Sequence, residues 1–486
     1  MKEIKLYNTL TKSKDLFVPN QEKVSLYSCP TVYGDPHIGN MRTYLFVDLL
    51  KRVLIHVEFS VIHVMNITDV HLTDDGDQGE DKMEKARREK KTVRQVARAY
   101  EANFKKYSEL QLEAPDVYTR ATEYMNEQIE MIQSLVDKGF TYIIEDIYMD
   151  TRKISDYGKL AQLDFEGMNS EHRVDAKIDS SKKKNLSDFA LRKIAPKKSK
   201  RAMEWVFERS SLLVNEDFDQ ETFLTESEYK SLKTISRSEL TDKEKMLAGF
   251  PRHIECSAMA SAELKSIDIH TVDHITVHHT NEIAQAECSL GCSHWVNRRM
   301  HGQFLNINSK VSKSKDDLSI PIIEKFDPLD LRYFYFTGHY RSFLDFTWEA
   351  LEAAQTSRKN LIKKLASYYQ KNSDEYGPAL YETLINHLAD DLDIVVFSSL
   401  YSLDSEKACN DILLLDEKVL RLLHEVKSLL EKDSVSPPTQ VISLADQRII
   451  AKQEKKYEES DRLREEIASL GRTVKDEQGY TLSQND

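Results

Sequence analysis

Val24-Ser25-Leu26-Tyr27-Ser28-Cys29-Pro30-Thr31-Val32-Tyr33-Gly34-Asp35-Pro36-His37-Ile38-Gly39-Asn40 passes from a short apolar run, through a turn, to the head of a helix. The first six residues are mostly apolar, and the run is short enough for a buried strand. Proline and glycine then punctuate the chain. From Met41 to Val53 the apolar residues recur at helical spacing, and Val61-Ile62-His63-Val64-Met65 is a second β-branched run. Strand, turn, helix, strand opens a doubly wound α/β fold. Such folds bind ligands at the carboxyl ends of their strands, near helix N-termini.

The 486 residues suffice for about three or more domains. With 40% hydrophobic and 31% charged residues the chain can build real cores. No run of 18 apolar residues predicts a membrane span. Met1-Lys2-Glu3-Ile4-Lys5-Leu6 lacks the apolar region and cleavage site of a signal peptide, and five cysteines without a repeating framework fit a reducing compartment, so the expectation is cytoplasmic. A formal charge of −13 excludes a protein that coats nucleic acid non-specifically, but allows local basic strips.

Residues 91–139 read as helical. Residues 140–250 differ: Lys182-Lys183-Lys184 and Lys197-Lys198-Ser199-Lys200-Arg201 precede an acidic stretch from Asn215 to Glu244. They read as an insertion. Strand signals return at Ile254, Ile267 and Val272. Beyond Ser314 the pattern is helical at Leu361–Tyr369, Ala379–Val396, Ile412–Leu430 and Leu444–Leu470, with a Val435-Ser436-Pro437-Pro438-Thr439 linker. The expected division is 1–139 and 251–318 for two halves of a catalytic Rossmann-like domain, 140–250 for the insertion, 319–395 for a linking region and 396–486 for an all-α region.

Two groups of metal-ligating side chains stand out. Cys288, Cys292 and His294 are close in sequence. Cys29, Cys256, His278 and Glu282 are dispersed, although His278 and Glu282 share a helical face. Spacing favours the first group. The bland alternative makes Cys256 a core thiol and His278 a surface histidine.

Pro30–Asn40, followed far along the chain by Lys310-Val311-Ser312-Lys313-Ser314, resembles the paired signature motifs of class I aminoacyl-tRNA synthetases, in the form found in cysteinyl-tRNA synthetases. His253–Met259, His278–Gln285, Asn66-Ile67-Thr68-Asp69 and Asp327–Tyr333 are similar to further motifs of that family, in the family's order. The resemblance runs from about Leu6 to Tyr480 and is weak only in the insertion. It implies one zinc ion per chain on Cys29, Cys256, His278 and Glu282, binding the substrate thiolate. It implies His37, Asn40, Lys310 and Lys313 as catalytic residues, and His37, Gly39, Asn40 and Lys313 around ATP and its Mg2+. It implies Thr68, Cys29 and His253 in the cysteine pocket. The partners would be L-cysteine, ATP and cysteine-accepting tRNA, whose anticodon loop the helical C-terminal region would read. Arg341, Lys418, Arg421 and Lys452–Arg464 are candidate contacts. A monomer without membrane attachment is expected. The alternatives are a cysteine ligase acting on an amino sugar and a degenerate, non-catalytic paralogue.

The chain departs from the family in a pattern. A glycine is missing between Cys29 and Pro30, another pair after His270, and one beside Ser309, in a chain with only 14 glycines. Arg192 and Arg252 stand where the family has tryptophan. Loss of the first glycine predicts a register shift that turns Cys29 away from the metal, because a one-residue slip reverses strand faces.

Overall fold

The computed structural model describes residues 3–29, 38–67, 110–143, 146–161, 183–194, 205–206, 248–251, 253–272, 278–307, 325–369, 378–394, 406–423, 425–426, 438–475 and 480–484. The chain divides into two compact units: Met1–Gln355 with Thr383–Leu400, and Thr356–Glu382 with Tyr401–Asp486.

The first unit opens with an antiparallel pair, β1 (Lys5–Asn8) and β2 (Ser13–Leu16). Then come β3 (Lys23–Ser28), α1 (Ile38–His56), β4 (Ser60–Ile67), β5 (Val117–Arg120) and α2 (Met125–Asp137). β6 (Thr141–Ile143), β7 (Ile147–Met149), β8 (Phe189–Ile194), β9 (Trp205–Val206) and β10 (Ala248–Pro251) follow. The unit continues with α3 (Glu255–Glu263), β11 (Ile267–Val272), α4 (His278–Leu290) and β12 (Val296–His301).

The central sheet is parallel throughout, in the order β12-β11-β3-β4-β5. Nearly every residue of β3 and β4 is buried, as both faces of a covered parallel sheet require. The chain runs from β3 outward to β4 and β5, and from β11 the opposite way to β12. β3 and β11 are therefore the neighbours at which strand order reverses, and their carboxyl ends border the crevice such sheets use for ligands. Leu26 pairs with His63 on one side and Ile269 on the other. β5 corrects the helical reading of 91–139: Pro115 and the β-favouring Val117-Tyr118-Thr119 make an edge strand there.

The second sheet, β6-β7-β8-β10-β9, is antiparallel and comes from the sequence between the two halves of the first. Its Ile143, Ile147, Met149, Phe189 and Leu191 share one core with Ile132 and Leu135 of α2 and with Ala258 and Ala284. Asp188 ties its near end. It accepts from Tyr142 Oη at 2.8 Å, Thr151 N at 2.9 Å and Asn185 N at 2.9 Å. Arg192 is fully buried on β8.

The remaining elements of this unit are β13 (Leu305–Ile307), α5 (Pro328–Tyr335) and β14 (Leu344–Phe346). Asp327 caps α5 by accepting from Leu329 N at 2.8 Å, with Pro328 in the first turn. Arg332 of α5 reaches Asp48 of α1 at 2.7 Å, and Arg52 meets the same carboxylate at 3.0 Å.

His63, buried on β4, lies 2.7 Å from Ser28 Oγ. Burial, with Lys51 nearby, lowers its pKa from 6.5 to about 3. The unfolded chain takes up this proton near 6.5 and the folded one only near 3, so stability falls as pH falls through that window. Urea midpoints taken from pH 7 to pH 4 should drop less steeply for His63→Gln than for the parent. Equal slopes would remove His63 from the account.

The second unit contains most of α6 (Trp348–Tyr369), the start of α7 (Pro378–Leu388), and α8 (Glu406–Leu415), α9 (Thr439–Gln453) and α10 (Tyr457–Ser469). The region expected to be all-α also carries an antiparallel hairpin, β15 (Arg472–Lys475) with β16 (Thr481–Gln484). Val474 packs with Val441, Leu444, Leu463 and Ile467. Gly471, at φ +76°, ends α10 in the left-handed conformation open to glycine and turns the chain into β15. The stretch Leu444–Leu470 is two helices, broken where Lys455 takes φ +61°.

Candidate active site and metal centre

Cys29 directly follows β3, and its N–H still meets Thr271 O of β11 at 3.4 Å. Cys256 is the second residue of α3. His278 begins α4 just beyond β11, and Glu282 lies one turn further on the same face. Four elements thus converge at the reversal point of the sheet. One ligand atom from each of Cys29, Cys256, His278 and Glu282 lies within 4.8 Å of all the others. The two sulfurs are 3.0 Å apart, and His278 Nε2 is 3.2 Å from Glu282 Oε1. Cys29, Cys256 and Glu282 are buried, while His278 is about a third exposed and marks the open side.

The expected turning away of Cys29 does not occur. The strand ends at Ser28 in unbroken register with β4 and β11, so a residue lost after Cys29 falls beyond the strand and leaves its faces as they are.

The surroundings shift the four candidate ligands in different directions. The neighbouring Cys256 thiol, with help from His278, lowers Cys29 to about 7 against the effect of burial. The hydrogen bond with Cys29, together with burial, pushes Cys256 up. Asn66, at the end of β4, donates to Cys256 Sγ at 3.4 Å. Burial would raise Glu282, but the His279, His270 and His278 rings hold it well below the usual carboxylate range. Burial would lower His278, and Glu282 and Cys29 raise it well above its ordinary value.

The second oxygen of Glu282 faces a different set: His270 Nε2 at 3.0 Å, His279 Nε2 at 3.8 Å and Arg299 Nη1 at 3.9 Å. His279 Nδ1 continues to His301 Nε2 at 2.7 Å, and His301 Nδ1 to Thr9 Oγ1 at 2.9 Å. His270, His279 and Glu282 also lie close enough to share an ion. His270, His279 and the Arg299 cation thus surround the second carboxylate oxygen of Glu282. Sequence reading passed over His270, His279 and Arg299. For His270 and Arg299 the available signal was a polar residue within a largely buried strand; His279 is on α4, next to the candidate ligand His278.

Cys288, Cys292 and His294 do not form a ligand group among the described residues. Cys288 is half-buried on the last turn of α4, where burial and Glu287 push it up to about 11, and Cys292 is exposed. Both line a cavity of about 360 Å3 with Lys138, Tyr157 and Lys159.

Gly39 and Asn40 occupy the first turn of α1, the end of the helix at which its dipole favours phosphate. His253 precedes α3 at φ +58°, and its carbonyl accepts from Gln285 Nε2 at 2.6 Å. Arg341 is engaged within its own unit. It lies over the Tyr7 ring at 4.2 Å and donates through Nε to Asp391 at 2.8 Å. His37, Thr68, Lys310, Lys313 and Arg252 lie outside the described residues.

The family model described as "tRNA synthetases class I (C) catalytic domain" matches residues 16–208 and 244–356. The chain is 36% identical over 527 residues to the cysteine–tRNA ligase of Treponema denticola, covering 98% of this chain and 99% of that one. It is 36% identical to cysteine–tRNA ligase 1 of Burkholderia lata, over 97% and 94% of the two chains. It is 35% identical to the cysteine–tRNA ligase of Borrelia hermsii, over 96% of each. In structure it is similar to methionyl-tRNA synthetase of Mycobacterium tuberculosis bound by methionyl-adenylate. The TM-score is 0.54 at 13% identity, over 84% of this chain and 94% of that one, a likeness of fold alone.

Proposed function

This chain belongs to the class I cysteine–tRNA ligases, and on that premise we propose that it activates L-cysteine with ATP at a zinc centre formed by Cys29, Cys256, His278 and Glu282 and charges cysteine-accepting tRNA. The convergence of these four side chains within 4.8 Å, at the sheet's reversal point, is the observation that carries the reading. Two thiols, an imidazole and a carboxylate suit tetrahedral zinc, and the partly exposed His278 marks where a substrate would approach. Zinc bound there would hold the substrate thiol as thiolate and favour it over the hydroxyl of serine.

In the first step a carboxylate oxygen of cysteine attacks the α-phosphorus of ATP, and the bond to pyrophosphate breaks. The head of α1, at Gly39 and Asn40, would stabilise the charge on the phosphate through the helix dipole. His37, Lys310 and Lys313 would add donors and positive charge on the phosphates, which Mg2+ accompanies. Thr68 and His253 would flank the amino acid. In the second step a terminal ribose hydroxyl of the tRNA attacks the activated carbonyl, and AMP leaves.

The match along nearly the whole chain, including the helical unit, favours tRNA over an amino sugar as acceptor. A monomer in the cytoplasm goes with this reading. Among the described residues no helix is long and apolar enough to cross a membrane.

The test pairs metal analysis with cysteine-dependent pyrophosphate–ATP exchange on the purified chain. The expected result is one zinc per chain, and exchange favouring cysteine over serine by on the order of 10⁴. Equal exchange with serine, or full exchange from zinc-free protein, would sink the zinc reading.

A further inference from the structure

Arg42 sits one turn into α1, two residues beyond Asn40, and is only 5% exposed. It makes no carboxylate pair among the described contacts. Its guanidinium instead meets three backbone carbonyls. Nη1 donates to Phe304 O at 2.7 Å, and Nη2 to His339 O at 3.1 Å and to Ser342 O. Burial lowers its pKa to about 10, so it remains a cation at neutral pH.

These carbonyls belong to the two segments that enter β13 and β14, parallel neighbours with Leu305 opposite Leu344. Gln303 N donates to Tyr340 O at 2.8 Å, so the two segments are also joined to each other. One turn along α1 from Arg42, Phe46 stacks on Tyr340 at 4.3 Å with the rings 4° apart. One turn back, Ile38 O accepts from Tyr335 Oη. Ile38, Arg42 and Phe46 are successive i, i+4 positions on one face of the helix. That face joins the phosphate-favouring end of α1 to the strand that ends three residues before Lys310.

We propose that Arg42 is a positioning residue that fixes the segments entering β13 and β14 against the N-terminal turns of α1, and that cysteine activation depends on this joint. Arginine suits the task because its planar fork serves several acceptors in a set geometry, which a lysine ammonium does not reproduce. The proposal rests on the cysteine activation described above.

The test compares parent, Arg42→Lys and Arg42→Met in cysteine-dependent pyrophosphate–ATP exchange. Zinc content, thermal midpoint and the fraction of active sites (from the single-turnover yield of adenylate) are measured on the same samples. Arg42→Met should lower kcat per active site by about 10²-fold, the scale of a misplacement near 1 Å. The KM for cysteine should stay within about twofold, and zinc should be retained. Arg42→Lys should fall between. If kcat per active site is unchanged, or the loss follows only the folded fraction, Arg42 is a structural residue and the proposal is overturned. Should Arg42→Met fail to fold, Arg42→Lys reads the same split. A parent chain that folds and binds zinc but shows no exchange overturns the activation reading itself, and this proposal with it.

Discussion

Cys256→Ser is expected to lose zinc and, with it, cysteine activation. Serine keeps the volume of the side chain, so α3 and its packing beside Trp295 and Val296 should survive at a cost of about 1–2 kcal/mol for a buried hydroxyl. The coordination chemistry does not survive. A serine hydroxyl stays protonated where a thiol ionises, and zinc prefers the softer sulfur. Loss of an outer partner of a metal ligand already costs about 10–100-fold in affinity. Removal of a ligand should exceed that, and exchange should fall by at least about 10³-fold. Chelator competition checks the affinity. Cys292→Ser serves as the control, since that thiol is exposed and outside the cluster. If the Cys292 variant lost zinc and the Cys256 variant kept it, the metal centre would have to be reassigned to the end of α4.

Asp48→Ala should be the most destabilising single change in the first unit. The carboxylate is 4% exposed and takes Arg332 Nη2 at 2.7 Å, Arg52 Nε at 3.0 Å and Glu113 N at 2.7 Å. Burial would raise its pKa, but Arg332 and Arg52 outweigh burial and hold it below the ordinary value. Truncation leaves two buried guanidinium groups without the charge that balanced them. Breaking a buried pair by removing one partner costs about 3–5 kcal/mol. A depressed carboxylate contributes stability above its ordinary pKa and loses it as pH falls below, so acid should mimic part of the effect. Denaturant unfolding followed by a probe in the first unit checks the prediction. Asp48→Leu combined with Arg332→Met should recover part of the loss. A cost below 1 kcal/mol for Asp48→Ala would mean that water replaces the carboxylate.

Local pattern was enough to find β3, α1 and β4, because Val24–Tyr27 and Val61–Met65 are apolar runs and Met41–Val53 has helical period. It missed β5, where four residues carry too little periodicity to stand out from the helical segments around them. Cys29, Cys256, His278 and Glu282 were individually visible as candidate ligands. Their grouping was not, since nothing local joins Cys29 to Cys256; only the resemblance ranked them above Cys288, Cys292 and His294. Arg42, His270 and Arg299 escaped notice for the same reason. Each acts on partners distant in sequence, through backbone carbonyls or a carboxylate that no spacing rule anticipates. The C-terminal hairpin was hidden because Arg472–Lys475 and Thr481–Gln484 are short and mostly polar.

The position of β3 between β4 and β11 also bears on how the chain is made. Ser25 on β3 bonds to Asp268 on β11 across 243 residues of sequence, and Cys29 and Cys256 are comparably far apart. During synthesis the first half-sheet emerges with one side of β3 unpaired. At about 5–20 residues per second the ribosome takes roughly ten to fifty seconds to supply the strand that covers it. For that interval the nascent chain offers an apolar strand edge and a lone Cys29 thiol to its surroundings. Cys29, Cys256, His278 and Glu282 can meet only after α4 has been made, so capture of a metal by these four side chains would come late, together with the joining of the two half-sheets.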